Sequence, residues 1–307
     1  MKVLITGASG MLGSAINKFA AIDNHRILSP NHHALDLENE SATYDYLKSN
    51  RPDVIFHCAA QVGGISANIS NQIDFLTKNI RIDASLLGAA RSLKIQNLIY
   101  MGSSCMYPKN LPLPMKESEI LTGPLESTNE GYALAKLVGW KTVQYAANSL
   151  TWRTFVLSNL YGPNDHFDPG RSHLLAAIIE KVHAARFNHR DTVEMWGDGS
   201  ARREFTFVDD VAKFLVSALD HLEEFPDTLN LGLGTDYSVL NYYEMVSNAM
   251  NYQGTICADL TKPTGMKSKL MNITKAQKFG WDPQTPVESG IEMTITWYES
   301  NLRKAPS

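Results

Sequence analysis

Short runs built around two or three apolar residues recur through the first half of the chain. Lys2 to Thr6, His25 to Ser29, Val54 to His57, Leu98 to Met101 and Thr154 to Leu157 all have this form. Most stop at a glycine, a proline or a cluster of small residues. They are too short for helices and lack the strict alternation of a strand with one wet face, so the pattern predicts buried strands of a parallel sheet. Between them lie longer stretches with helical spacing. These predict a helix from the Gly7–Gly13 segment to about Ala21, others over Ile73–Arg91 and Tyr132–Ala147, and one from Leu174 to Arg186. Strands alternating with helices at these lengths predict an α/β fold with a doubly wound parallel sheet. After Pro163 the pattern loosens. The expectation is one domain from residues 1–163 plus about 203–233, and a smaller C-terminal substrate-binding lobe from about 164–202 and 234–307.

The chemistry falls where these runs end. After the first strand comes GASGMLG, with Gly7, Gly10 and Gly13 around Ser9, Met11 and Leu12. Glycines permit a tight turn and let backbone N–H groups approach a pyrophosphate at a helix N-terminus, which points to a Rossmann-type dinucleotide site. The second strand is followed by Ser29, Pro30, Asn31, His32 and His33, neither a carboxylate for the ribose hydroxyls of NAD nor an arginine for the 2′-phosphate of NADP. The missing acid leans toward NADP and leaves NAD open. Asp36 and Leu37 are candidates for the adenine edge, and Asp36 is equally explicable as a surface acid. The third strand ends in Cys58, Ala59, Ala60 and Gln61, and the fourth in Gly102, Ser103 and Ser104. In such sheets ligands sit outside the C-terminal strand ends, which collects Gly7, Ala60 and Ser103 on one edge.

Tyr132 and Lys136 are four apart at the start of a predicted helix, so both share one face. An ammonium beside a phenol favours the phenolate, which suits Tyr132 to trade a proton with a carbonyl or hydroxyl. Ser103, from a strand end, is placed to hold the same oxygen.

Composition narrows the field. The 307 residues are 44% hydrophobic and 20% charged with a net charge of −4, so no basic stripe argues for nucleic acid. Three cysteines, Cys58, Cys105 and Cys257, are odd in number and far apart, giving neither a disulfide framework nor metal spacing. The chain opens directly into a strand-like run, and no apolar run approaches the roughly 18 residues of a membrane span. The expectation is a cytoplasmic protein that works without membrane, metal or nucleic acid.

With GASGMLG, GSSCMYP and YALAK in that order, the chain resembles the extended short-chain dehydrogenase/reductase family of nucleotide-sugar enzymes. VGGISAN, SNLYGPNDHF, Ser172-His173 and REFTFVDD extend the resemblance to its 3,5-epimerase/4-reductase branch, over residues 1 to about 300. That resemblance implies NADPH as cofactor and GDP-4-keto-6-deoxy-D-mannose as substrate. It makes Ser103, Tyr132 and Lys136 the reductase triad, with Tyr132 giving a proton to the sugar O4, Ser103 bonding that oxygen and Lys136 holding the nicotinamide ribose. Cys105 and His173 match the epimerisation base and acid. A buried inert thiol and a helix-capping histidine are the plain alternatives. Asn159 and Arg203 match substrate-binding positions. Asn159, Leu160 and His173 join Tyr132 and Lys136 at the nicotinamide end. Ser104, Lys181, Trp196 and Lys269 complete the substrate list; Arg171, Lys181, Arg202 and Lys269 are all weaker candidates than Arg203 for the anionic ligand, and Trp196 either lines a nucleotide cleft or caps the lobe. For Arg203 the alternative is a salt bridge with Glu204 or Asp209.

The resemblance also implies a homodimer through the helices at about 73–91 and 131–148. Their residues Ala84, Leu87, Ala90, Leu137 and Val143 fit either that interface or packing within one chain. Three departures bear on the ligands. Gln61 stands where a lysine is expected, no arginine follows the second strand, and the 263–269 loop reads PTGMKSK where the family has a PDGTPRK-like segment. The alternative is therefore a related 4-reductase or 4-epimerase, for example on a 4-keto-6-deoxy heptose, without 3,5-epimerisation.

Overall fold

The computed structural model describes residues 1–168, 170, 172–262 and 265–302. Its centre is a six-stranded parallel sheet. The strands are β1 (Lys2–Thr6), β2 (Arg26–Leu28), β3 (Val54–His57), β4 (Asn97–Ser103), β5 (Thr151–Leu157) and the segment Thr228–Leu231. From one edge the order is Thr228–Leu231, β5, β4, β3, β1, β2, every neighbouring pair parallel. Helices α1 (Met11–Ile22), α2 (Glu40–Asn50), α3 (Ile65–Ser70), α4 (Gln72–Ser92), α5 (Glu130–Ala146), α6 (Leu174–Phe187) and α7 (Val208–Ser217) follow in chain order.

Continuous apolar runs are what a sheet covered on both faces requires, because successive side chains point to opposite sides. Val3, Ile5, Phe56, Ile99, Met101 and Phe155 pack into one core with Ile16 of α1 and Val211 and Leu215 of α7. Leu4, Ile55, Leu98, Tyr100 and Val156 pack into another with Leu86 of α4 and Leu137 and Val143 of α5. A third core joins Leu175, Ile178 and Val182 of α6 to Val193, Met195, Phe205, Tyr242 and Ile291. Two more strands, Thr192–Trp196 and Thr255–Asp259, pair in parallel beside it.

The doubly wound sheet is present as read from the sequence, and the long helices lie within two residues of their expected ends. The differences have local causes. Helix α2 buries only Thr43 and Leu47 along its length, so it carries no apolar stripe to read. Helix α3 is six residues of mostly small and polar character. Leu87, Ala90, Leu137 and Val143 are buried where α4 and α5 pack together within one chain, while Ala84 is exposed. Among the described residues no helix is long and apolar enough to cross a membrane.

Candidate active site

The chain leaves β1 for β2 on one side and later returns to β3 on the other. The loops after β1 and β3 therefore diverge and open a crevice at this switch point. Backbone packs closely there. Gly7 has φ +67, and a Cβ on it would meet the Ala59 backbone at 2.8 Å. A Cβ on Gly13 would run into the Gly7 carbonyl. Gly10 differs, since a Cβ there would meet only the Gly7 carbonyl, at 3.4 Å. As the N-cap of α1 it brings no side chain to occupy the N–H groups of the first turn. This open cradle at a helix N-terminus, lined by backbone, fits the pyrophosphate of a dinucleotide.

Side chains from the interior fix the loop after β3. The Ala59 N–H donates to Thr6 Oγ1 at 3.2 Å, and that hydroxyl lies 2.8 Å from His57 Nδ1. Asn79, buried on α4, receives the Gln61 N–H at 2.8 Å and donates back to the Gln61 carbonyl at 3.0 Å. Sequence reasoning missed Asn79 and Asp83. The signal was there: both interrupt, four residues apart, the inward stripe of α4 that begins at Phe75 and resumes at Leu86 and Leu87.

One cavity of about 1050 Å³ runs along this edge. Gly7, Ser9, Gly10, Met11, Leu12, Gly13, Asp36, Leu37, Ala59, Ala60 and Gln61 line its dinucleotide end. Ser103, Ser104, Cys105, Tyr132, Lys136, Asn159, Leu160 and His173 also line it, as do Lys181, Trp196, Arg203 and Lys269. Arg202 is not in its lining; its guanidinium donates to Asp236 at 2.8 Å. Arg171, Pro263 and Thr264 lie outside the described residues.

At the centre Ser103 and Tyr132 share the cavity, and Ser103 favours the Tyr132 phenolate. Burial is the larger influence and pushes Tyr132 well above the ordinary tyrosine range, with Cys105 and Asp83 adding to the rise. This corrects the expectation that Lys136 lowers the Tyr132 pKa. The Lys136 ammonium instead stands 4.7 Å from the centroid of the Tyr100 ring. Burial lowers its pKa while Asp83 and Cys58 oppose that. Asp83 in turn takes the Tyr100 hydroxyl at 2.6 Å and lies 3.0 Å from His57 Nε2. Lys136, His57 and Tyr100 together hold its carboxyl below the usual carboxylate range despite burial.

Cys105 Sγ accepts a hydrogen bond from Asn129 Nδ2 at 2.9 Å, and the Cys105 N–H donates to Ser103 Oγ at 3.3 Å. Cys58 lines the same cavity, and burial pushes its thiol up to about 12. His173 sits at the N-cap of α6, with Nδ1 3.7 Å from Asp165 Oδ1 and without a hydrogen-bond partner among the described residues. Asn159 Nδ2 donates to the Glu204 carbonyl at 2.9 Å.

Beyond this centre the Trp196 ring has the Lys181 ammonium 5.3 Å and the Lys262 ammonium 5.7 Å from its centroid. Lys181 also donates to the Glu194 carbonyl at 3.1 Å. Arg203 Nη1 donates to the carbonyls of Arg202 and Met266, each at 2.7 Å. The acids weighed as its partners are engaged by other groups. Glu204 accepts the N–H groups of Gly234 and Met271, and Asp209 pairs with Lys18 at 2.7 Å.

Known proteins resemble this chain in sequence and in fold. Residues 3–232 match the model of the NAD dependent epimerase/dehydratase family. The GDP-L-fucose synthase of Azorhizobium caulinodans is 44% identical over 299 residues, 97% of this chain and 96% of that protein. The GDP-L-colitose synthase of Yersinia pseudotuberculosis is 40% identical over 301 residues, 97% and 98% of the two chains. Among solved structures, a GDP-mannoheptose C4 reductase from Campylobacter jejuni with NADP bound superposes with a TM-score of 0.87 at 26% identity, covering 97% of this chain and 98% of that one. The crevice at the switch point and the Ser103–Tyr132 pair thus sit in a chain that belongs to the NAD dependent epimerase/dehydratase family.

Proposed function

We propose that the protein is an NADPH-dependent epimerase/reductase that converts GDP-4-keto-6-deoxy-D-mannose to GDP-L-fucose by inversion at C3 and C5 and reduction at C4. The observation that carries this reading is that Ser103, Tyr132, Cys105 and His173 line the same cavity as the dinucleotide cradle. The full-length likeness to a GDP-L-fucose synthase supports it. The NADP bound in the heptose reductase supports the choice of cofactor.

The chemistry explains why one site suffices. Both C3 and C5 flank the C4 ketone, so loss of a proton from either places negative charge on O4. Ketone reduction develops charge on the same atom. A donor pair made of Ser103 and Tyr132 stabilises both transition states. Cys105 takes the carbon-bound proton and His173 returns one to the other ring face. When bound, NADPH supplies the hydride for C4. Tyr132 supplies the proton for O4, and its raised pKa keeps it protonated for that step. Lys136 holds the nicotinamide ribose. Gly10, Ala60 and Gln61 cradle the dinucleotide. Arg203, Lys181 and Lys269 hold the diphosphate, with Trp196 against the base.

The division of labour in this reading is a dinucleotide-binding unit from residues 1–163 and about 203–233, and a substrate lobe from about 164–202 and 234–307. The protein works as a homodimer in the cytoplasm. The exposed apolar stripe of Leu134, Val138 and Tyr145 on α5 supports the dimer. Three free cysteines fit a reducing compartment. Light scattering should give twice the chain mass, and Val138→Glu should shift it to a monomer; a monomeric wild type would end the dimer claim.

A second reading, a 4-reductase without epimerisation, is favoured by the likeness to the heptose C4 reductase. Oxidation of NADPH on addition of GDP-4-keto-6-deoxy-D-mannose tests the shared part of both readings. No oxidation with that sugar would discard the leading substrate.

A further inference from the structure

We propose that Asn129 is the positioning residue for the Cys105 thiol: its amide N–H holds the sulfur in its ionised, proton-accepting form, and its carbonyl accepts a hydroxyl of the sugar.

Asn129 ends the turn Ser127–Asn129 just before α5 and occupies the N-cap position of that helix. Asparagine at an N-cap ordinarily turns its side chain onto the first helical N–H groups. Here it makes no such bond. Gln72 of α4 does the capping instead: its Oε1 accepts the Gly131 N–H at 2.9 Å, and its Nε2 donates to the Ser127 carbonyl at 2.7 Å. Asn129 is thereby released to donate Nδ2–H to Cys105 Sγ at 2.9 Å.

Its other end is equally telling. Asn129 Oδ1 is buried, without a hydrogen-bond partner among the described residues, on a side chain that lines the cavity. A buried acceptor left unmet costs free energy that a ligand hydroxyl recovers. A hydrogen bond to the charged form of a group favours that form, so Nδ2–H favours the thiolate. When the thiolate takes a proton from C3 or C5, the S–H bond forms, the C–H bond breaks, and the electron pair moves to O4. Ser103, Tyr132, Lys136, Glu126 and His173 share this cavity.

This inference rests on the epimerase reading for its purpose, but its test needs no substrate. On a Cys257→Ser background, which removes the exposed thiol, the alkylation rate of Cys105 by iodoacetamide is followed against pH by peptide mass spectrometry. Cys58, pushed up to about 12, stays largely unreactive. Asn129→Ala should slow alkylation about tenfold at neutral pH by removing one charge-assisted hydrogen bond, and move the profile to higher pH. Asn129→Asp, of nearly the same size, should move it further by placing an anion beside the sulfur. Both variants should keep the NADPH affinity of the wild type, which reports an intact fold. With the nucleotide sugar, Asn129→Ala should slow deuterium exchange at C3 and C5 and raise KM. Alkylation profiles that overlay the wild type in both variants would overturn the proposal. Shifted profiles in an enzyme that ignores the sugar would instead count against the epimerase reading alone.

Discussion

The Tyr100 hydroxyl donates to Asp83 Oδ2 at 2.6 Å, and the Lys136 ammonium faces the same Tyr100 ring. Asp83, reached also by His57, is therefore the buried counter-charge of the active-site lysine. A lysine and an aspartate this deep are tolerable only as a set, because removing one charge leaves the other uncompensated.

Asp83→Asn should destabilise the protein by about 3–5 kcal/mol at neutral pH, the usual cost of breaking a buried pair. The sign with pH follows from linkage. The folded carboxyl is held below its unfolded value, so its contribution is full above about pH 4 and is lost as pH falls through the folded value. Urea midpoints at pH 7 and in progressively more acid buffer should show the penalty shrinking. A penalty that does not change with pH would contradict the assignment.

Gly139 makes room for this pair. A Cβ at that position would run into the Tyr100 hydroxyl and the Asp83 carboxylate. Gly139→Ala should cost roughly 1–3 kcal/mol by overpacking. Tyr100→Phe removes one of the two groups the new methyl meets, so the double variant should lose less than the sum of the two singles. Additivity within about 0.5 kcal/mol in a double-mutant cycle would show that the two sites do not touch.

Glu204 carries the opposite pH signature. Burial pushes its carboxyl up to about 7 even though the Met271 and Gly234 N–H groups favour the ionised form. Because the folded pKa lies above the unfolded value of about 4.3, the folded state binds more protons across that window and stability falls as pH rises through it. The total cost is on the order of 3 kcal/mol. Glu204→Gln, which cannot ionise but loses one acceptor, should be the less stable protein near pH 4 and recover ground by pH 8. A constant difference between the two would place the Glu204 pKa elsewhere.

Tyr132→Phe should lower ketone reduction by about 10²–10⁴-fold, the usual worth of a positioned proton donor, while NADPH binding persists. Fluorescence titration of the cofactor alongside steady-state turnover checks both. Unchanged reduction would remove Tyr132 from the chemistry.

Much of this was legible because it depends on local pattern. Val3, Ile5 and Phe56 announce buried strands, and Gly7, Gly10 and Gly13 announce the turn that must follow one. What depends on a partner from another element was not. The spacing of Tyr132 and Lys136 is a property of α5 alone, but the direction of the Lys136 ammonium is set by Asp83 of α4 and Tyr100 of β4. Nothing in the local sequence marks Asn129, because its role depends on Gln72, 57 residues earlier, doing the capping.

The most direct measurement is NMR of the product formed with NADPH and GDP-4-keto-6-deoxy-D-mannose in deuterated water, for the wild type and for Cys105→Ser. The wild type should give a reduced L-sugar carrying deuterium at both C3 and C5, and Cys105→Ser should lose that exchange. A reduced sugar without deuterium at either carbon would contradict the epimerase half of the function and leave a 4-reductase.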